Sequence, residues 1–335
     1  MLQDRRFAYG LLLALAIALP FIFRTDFLRS LLVLGVIFAM LTLSLDIIVS
    51  GMGQFSFGHQ AFFAIGAYTS ALLSVKLGVT PFVGFLAAFA FTGLVGLLVG
   101  YVALRATRGV YLAIVTLGFS VILSRLVRYF REFTRGTWGI PNIPPPVIAI
   151  PNLPEIVIKS ELSYYFLALA FLFLTMYLIS KWQRSRFGRA VATLGENEML
   201  AKSIGIAPVR LYTMAFVLAT AIAGLSGALY AHYLHHVSPA LFELPYMVML
   251  LVILFVGGVG TMGGPVLGAF IFTLVPEWLP TSDEVDLFIF GAMLLIFILF
   301  MPRGIYPPLR SLGKNFIRRL SRSRKAEIVN KMVIK

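Results

Sequence analysis

Asp46, Gln54, Ser56, His59 and Gln60 are the densest group of polar side chains set within or beside an apolar stretch of this 335-residue chain. An imidazole among amides, a hydroxyl and a carboxylate can line a polar path or tie helices together. Left unpaired in hydrocarbon, each such group would cost several kcal/mol. A metal site is not indicated, because no second ligand stands at a suitable spacing from His59. His232, His235 and His236 can share one helical face, but no carboxylate follows until Glu243, so they are expected at a helix end in the membrane interface. The glycine-rich stretch Gly257–Gly268 lacks the Gly-Lys-Ser/Thr ending of a phosphate loop, and Gly313-Lys314-Asn315 lacks the upstream glycine and the hydroxyl. No nucleophile, base and oxyanion set appears. The chemistry on offer is recognition and passage, not catalysis, and no cofactor of the chain's own is expected.

The elements that hold these residues are apolar helices. The chain is 59% hydrophobic and 13% charged, about half the charge of a soluble domain. Its apolar residues form long runs, and about 20 such residues span a bilayer. Ten spans are predicted, near 7–23, 28–48, 57–75, 81–104, 110–127, 162–180, 211–231, 245–259, 264–280 and 286–301. The runs are continuous rather than alternating, which favours helices over a β-barrel. The eighth and ninth are short and glycine-rich, consistent with a broken or re-entrant helix. Arg5 and Arg6 precede the first run, but its length and missing cleavage pattern make it a retained span. There are no cysteines, so disulfides and thiolate metal sites are excluded.

Charge sets the orientation. With both termini in the cytoplasm, 20 of the 28 basic residues lie inside, ten of them from Arg303 onward. These blocks flank apolar runs without a recognition module, which argues for anionic lipid and against nucleic acid. The predicted organisation is a first transmembrane half over 1–127, an extracytoplasmic proline-rich loop over 128–161, a second half over 162–301 and a basic cytoplasmic tail over 302–335. Five spans on each side of the loop imply two inverted five-helix halves. Arg125, Arg128, Arg131 and Arg135 run against the charge rule near one helical face. They are read as arginines reaching the interface from a helix end, with guidance of a substrate carboxylate as the alternative.

The cytoplasmic loop 181–210 carries a short predicted helix, Glu196 to Gly205, with Pro208 beyond it. Glu198 and Lys202 pair at i,i+4, while Met199, Leu200 and Ile204 form an apolar side with no evident partner in the chain. A short amphipathic helix in this place fits a partner's groove or the membrane surface.

Several segments in order resemble the permease subunits of branched-chain amino acid ABC importers of the LivM type. They are Gly53-Gln-Phe-Ser-Phe-Gly-His-Gln-Ala-Phe-Phe-Ala-Ile-Gly-Ala-Tyr68, Arg108-Gly-Val-Tyr-Leu-Ala-Ile-Val-Thr-Leu117, Thr134-Arg-Gly-Thr-Trp-Gly-Ile-Pro141, Phe187-Gly-Arg-Ala190, Glu196-Asn-Glu198 and Ile204-Gly-Ile206. Ala221-Ile-Ala-Gly-Leu-Ser-Gly-Ala-Leu-Tyr230, Gly257-Gly-Val-Gly-Thr-Met-Gly-Gly-Pro-Val-Leu-Gly268 and Pro302-Arg-Gly304 complete the set. The resemblance implies an all-α permease of a multi-pass cytoplasmic membrane protein type, paired with a second, similar permease. It also implies two ATPase subunits that carry ATP and Mg, and an extracytoplasmic binding protein that delivers a branched-chain amino acid. Glu196, Asn197, Glu198, Ala201 and Gly205 would then belong to the ATPase-coupling helix, and Ser56, His59, Phe62, Gly257, Gly258 and Gly260 to the translocation path. Asp46 stands where the family commonly has Asn. A secondary transporter or channel, or a permease for urea, amides or sugars, is the competing reading.

Overall fold

The computed structural model describes residues 16–23, 25–148, 156–203 and 205–274, with 291–292, 295–296, 299–301 and 304–308. The chain is all-helical apart from two small ribbons. Residues 16–22 are helical, followed by α1 (Asp26–Asp46), a π-helical segment Ile47–Gly51, α2 (His59–Leu77), α3 (Pro81–Ala106) and α4 (Val110–Tyr129). The second part holds α5 (Glu161–Arg184), α6 (Arg186–Glu196), α7 (Glu198–Ser203), α8 (Pro208–Leu234), α9 (Leu244–Gly257) and α10 (Gly264–Leu274). These helices follow the predicted second to ninth spans closely. Residues 7–15 of the first predicted span, 275–280 of the ninth and most of the tenth lie outside the described residues, as do the first six residues and the tail beyond 308.

Five helices among the described residues are long and apolar enough to cross a membrane. They sort by burial. The most apolar windows of α1 and α8 are 89% and 83% buried, whereas those of α3, α5 and α4 are 33%, 39% and 22% buried. A helix apolar all round belongs either in a core or in lipid. Here α1 and α8 form the core, and α3, α4 and α5 turn apolar faces outward. α9 is 14 residues long, about 21 Å, which is short of a core of about 30 Å; α10 is described as far as Leu274. The short α9 fits the expectation for the eighth span, and the continuation of the ninth lies outside the described residues.

Small residues set how closely the core helices approach, as is usual in lipid. Gly66 of α2 lies against the backbone of Gly224 in α8, and Gly227 lies against the Phe63 carbonyl. Gly96 of α3 makes room for the Thr220 side chain.

The proline-rich loop departs from expectation. It is not irregular throughout: β1 (Ile140–Pro141) pairs with β4 (His236–Val237), and β2 (Val147–Ile148) with β3 (Ile156–Val157), both antiparallel. The first ribbon folds the loop onto the end of α8 and corrects the interfacial reading for His232. His232 is fully buried. Its Nδ1 lies 2.6 Å from the Pro144 carbonyl and its Nε2 2.8 Å from Ser70 Oγ. A carbonyl only accepts, so the ring donates through Nδ1, and in the neutral ring Nε2 is left to accept from the hydroxyl. His235 Nδ1 meets the Ile143 carbonyl at 2.7 Å. His235 and His236 are both exposed. Two of the three histidines thus pin the loop, a role invisible at the level of local spacing.

Candidate functional site

The segment Gly51–Gln60 has one structural task that accounts for Gln54 and Gln60: it holds α4. Gln54 Oε1 accepts the Gly109 N–H at 2.6 Å, at the break between α3 and α4. The Phe57 N–H donates to Thr116 Oγ1 at 3.0 Å. Gly58 abuts the Thr116 carbonyl so closely that a Cβ would overlap it. Gln60 Nε2 donates to Ser120 Oγ at 3.1 Å, and Ser120 Oγ donates to the Phe242 carbonyl at 2.6 Å. Leu112, Ala113, Thr116 and Ser120 are the buried residues of α4. They recur at helical spacing, so one face of α4 is latched and the rest is free.

The loop 181–210 sits at the base of the same segment. The helix expected from 196 to 205 begins two residues later, as α7, and α6 precedes it. Asn197 adopts an extended backbone and ends α6, and its Oδ1 then accepts the Leu200 N–H at 3.0 Å as a cap for α7. Glu196 and Asn197 are exposed, and Gly205 carries the positive φ of 82° that follows a helix end. Ala201 is fully buried and anchors α7, while Met199 and Leu200 are 84% and 61% exposed. Glu198 pairs with Lys202 at 2.8 Å, as its spacing predicts, and also with Arg108 at 3.5 Å. The Arg108 guanidinium lies 5.3 Å from the Tyr212 ring centre at the start of α8. At the end of α6, Gly195 packs against the backbone of Gly51 to Gly53. The α6–α7 pair therefore touches the π segment after α1, the Arg108–Gly109 junction before α4, and α8.

Of the residues expected along a path, Ser56, His59 and Phe62 lie together behind the latched face of α4. Ser56 is 1% exposed, and its Oγ has no partner among the described residues. His59 Nε2 meets Ser44 Oγ of α1 at 2.7 Å, and Phe62 stacks between Phe119 and Phe216 at 5.4 and 5.5 Å. Gly257, Gly258 and Gly260 form the turn between α9 and α10. There Gly257 packs against Gly264 and Gly268, and Gly258 against Gly304. The two groups meet through α1, because the Gly260 N–H donates to Asp46 Oδ1 at 2.9 Å. That bond yields a prediction. Asp46→Asn keeps the acceptor and is expected to leave the thermal stability of the detergent-solubilised protein essentially unchanged. Asp46→Leu strands the Gly260 N–H and should cost about 1–3 kcal/mol, read as a lower unfolding temperature.

The arginine stripe proves discontinuous. Arg125 and Arg128 lie on α4, whereas Arg131 and Arg135 lie beyond its end at Tyr129. Arg128 pairs with Glu243, 115 residues away.

A family model described as branched-chain amino acid transport system / permease component matches residues 27–298. The chain belongs to this permease family. It is a multi-pass membrane protein and a transmembrane permease of an ABC importer. It is 31% identical over 322 residues to the high-affinity branched-chain amino acid transport system permease protein LivM of Escherichia coli K12, covering 89% of this chain and 74% of the relative. It is 24% identical over 300 residues to the corresponding permease protein LivH of Salmonella typhimurium, covering 81% and 92%. Among solved structures, PsaBC from Streptococcus pneumoniae in complex with Fab aligns with a TM-score of 0.43 and 14% identity, over 86% of this chain and 96% of that one. Within this permease, the residues that local sequence did not single out are Thr116, Ser120, Arg108, Tyr212 and Gly195. The signal for the first two was present: two hydroxyl residues four apart on one side of an apolar helix.

Proposed function

We propose that this permease carries apolar aliphatic amino acids inward as one of two similar permease subunits. Two cytoplasmic ATPases, holding ATP and Mg, would drive it, and an extracytoplasmic protein would deliver the substrate. The cargo rests on likeness to permeases named for branched-chain amino acids. The mechanism rests on one observation: the seat of α6–α7 on the Arg108–Gly109 junction that opens α4. In this reading Glu196, Asn197 and Glu198, with the exposed Met199 and Leu200, form the face the ATPase pushes, and Ala201 and Gly205 fix its shape. Both termini then lie on the cytoplasmic side of the inner membrane, and the ten predicted spans form two inverted halves. The outward face of α4, with Val110 70%, Tyr111 73%, Ile114 59% and Ile122 63% exposed, is available to the second permease.

Reconstitution tests this. Proteoliposomes holding the two permeases and the ATPases, supplied with loaded binding protein, are expected to accumulate L-leucine only with ATP. Accumulation by this chain alone on a proton or sodium gradient would instead establish a secondary transporter.

A further inference from the structure

One cleft of about 360 Å³ opens on the outward side of α4, lined by Leu117, Val121, Ser124, Arg125 and Arg128, with Phe242, Glu243 and Leu244 opposite. The α4 residues follow i, i+4, i+7, i+8 and i+11, so they form one stripe about 16 Å long. The stripe is graded: two aliphatic side chains, then a hydroxyl, then two guanidinium groups. The opposite wall is held in place, because the Phe242 carbonyl accepts from Ser120 Oγ at 2.6 Å and the Glu243 N–H donates to the Ala240 carbonyl at 2.9 Å. The latch that fixes α4 thus also fixes the cleft.

The charges within it are only partly matched. Glu243 uses Oε1 on Arg128, and its Oε2 has no partner among the described residues. No described acid pairs with Arg125. The Arg128–Glu243 pair is 37% and 44% exposed, and a pair that open contributes only about 0–1 kcal/mol. It gives way readily to a ligand.

We propose that this cleft is a transient site for a zwitterionic amino acid with an aliphatic side chain. Arg125 takes the carboxylate, Glu243 takes the ammonium, and Leu117 and Val121 meet the side chain. The proposal rests on the transport reading above and adds a place to it. Bound there, the ligand completes an alternating row of four charges, from Arg125 through its carboxylate and ammonium to Glu243. A carboxylic acid without the amine sets its charge near an unanswered Glu243, and an amine without the carboxylate leaves Arg125 empty. A basic side chain would place a cation on the aliphatic end. The cleft lies near the end of α4 remote from Gly109 and the α6–α7 lever. If the lever is cytoplasmic, the cleft is on the side from which a binding protein releases its cargo. An open site binds weakly, as a point of passage requires.

The chain has no cysteine, which allows a direct test in the assembled importer in membrane vesicles. Val121→Cys, or Leu117→Cys if the first assembles poorly, is labelled with a thiol-reactive maleimide. Millimolar L-leucine is expected to slow labelling at least threefold, 4-methylpentanoate and isoamylamine to have little effect, and Arg125→Gln to abolish the protection by leucine. Equal protection by all three compounds, none by leucine, or protection that survives Arg125→Gln overturns the site. ATP-driven leucine uptake by the unlabelled wild-type complex is measured in parallel. Uptake without protection removes only the cleft, whereas absent uptake removes the transport reading.

Discussion

Gly227→Leu is expected to leave almost no folded permease in detergent extracts of the membrane. A Cβ at this position would overlap the Phe63 carbonyl oxygen and lie 2.7 Å from its carbon and 3.1 Å from Ala67 N. All three obstacles belong to the backbone of α2, so no rotamer change relieves them. The two helices must separate, and that separation breaks the neighbouring contact of Gly66 with Gly224 as well. Overpacking a core commonly costs about 1–3 kcal/mol; a clash between two backbones belongs at or above the top of that range. Against a total stability of about 5–15 kcal/mol, the loss is large. Gly118→Leu is the control, since nothing stands within 4 Å of that position on α4. In the isolated chain it should fold normally and gain up to about 1 kcal/mol of helix propensity. Size-exclusion profiles after a temperature series compare the two. Equal survival would mean that α2 and α8 do not approach as described.

The same contrast separates what was legible in the sequence from what was not. A continuous apolar run announces a helix wherever it occurs, so the second to eighth spans are recovered to within a few residues. Thr80-Pro81 starts α3 where a proline at the first helical position is favoured. The need of Gln54, Gln60 and Asp46 for partners also follows from burial alone. The identity of those partners does not. Gln54 finds Gly109, Gln60 finds Ser120, Asp46 finds Gly260 and Arg128 finds Glu243, at separations of 55, 60, 214 and 115 residues. Hydropathy carries no information on such pairings.

The histidines show the limit most plainly. His232 stands at the end of a span, and local reasoning places such a residue at the interface. It is buried because a proline-rich segment 88 residues earlier folds back to offer the Pro144 carbonyl. Conversely, the later start of the helix expected from 196 was readable, since Asn197 is a strong cap three residues before Leu200. The pairing of Glu198 with Lys202 was predicted at its true spacing, but the contact of Glu198 with Arg108 joins parts of the chain 90 residues apart. In the proposed mechanism, that second contact is what would give the loop its leverage.

Reversing it should therefore uncouple the machine. Arg108→Glu sets a carboxylate against Glu198, replacing about 1 kcal/mol of attraction in a pair only 28% and 25% exposed by a similar repulsion. A swing of about 2 kcal/mol changes the seated fraction of α6–α7 roughly 30-fold. It also removes the cation from the face of Tyr212. The helices of the core do not depend on this pair, so membrane insertion and thermal stability should stay near wild type. ATP-driven uptake in the reconstituted importer should fall at least tenfold, while ATP hydrolysis continues without response to loaded binding protein. The exchange Arg108→Glu with Glu198→Arg restores the attraction in reverse, and Lys202, 54% exposed, is free to turn into solvent. Recovery of most of the uptake in the double variant would tie the defect to the contact itself. Undiminished uptake in Arg108→Glu alone would mean that force does not reach α4 through the junction at Gly109.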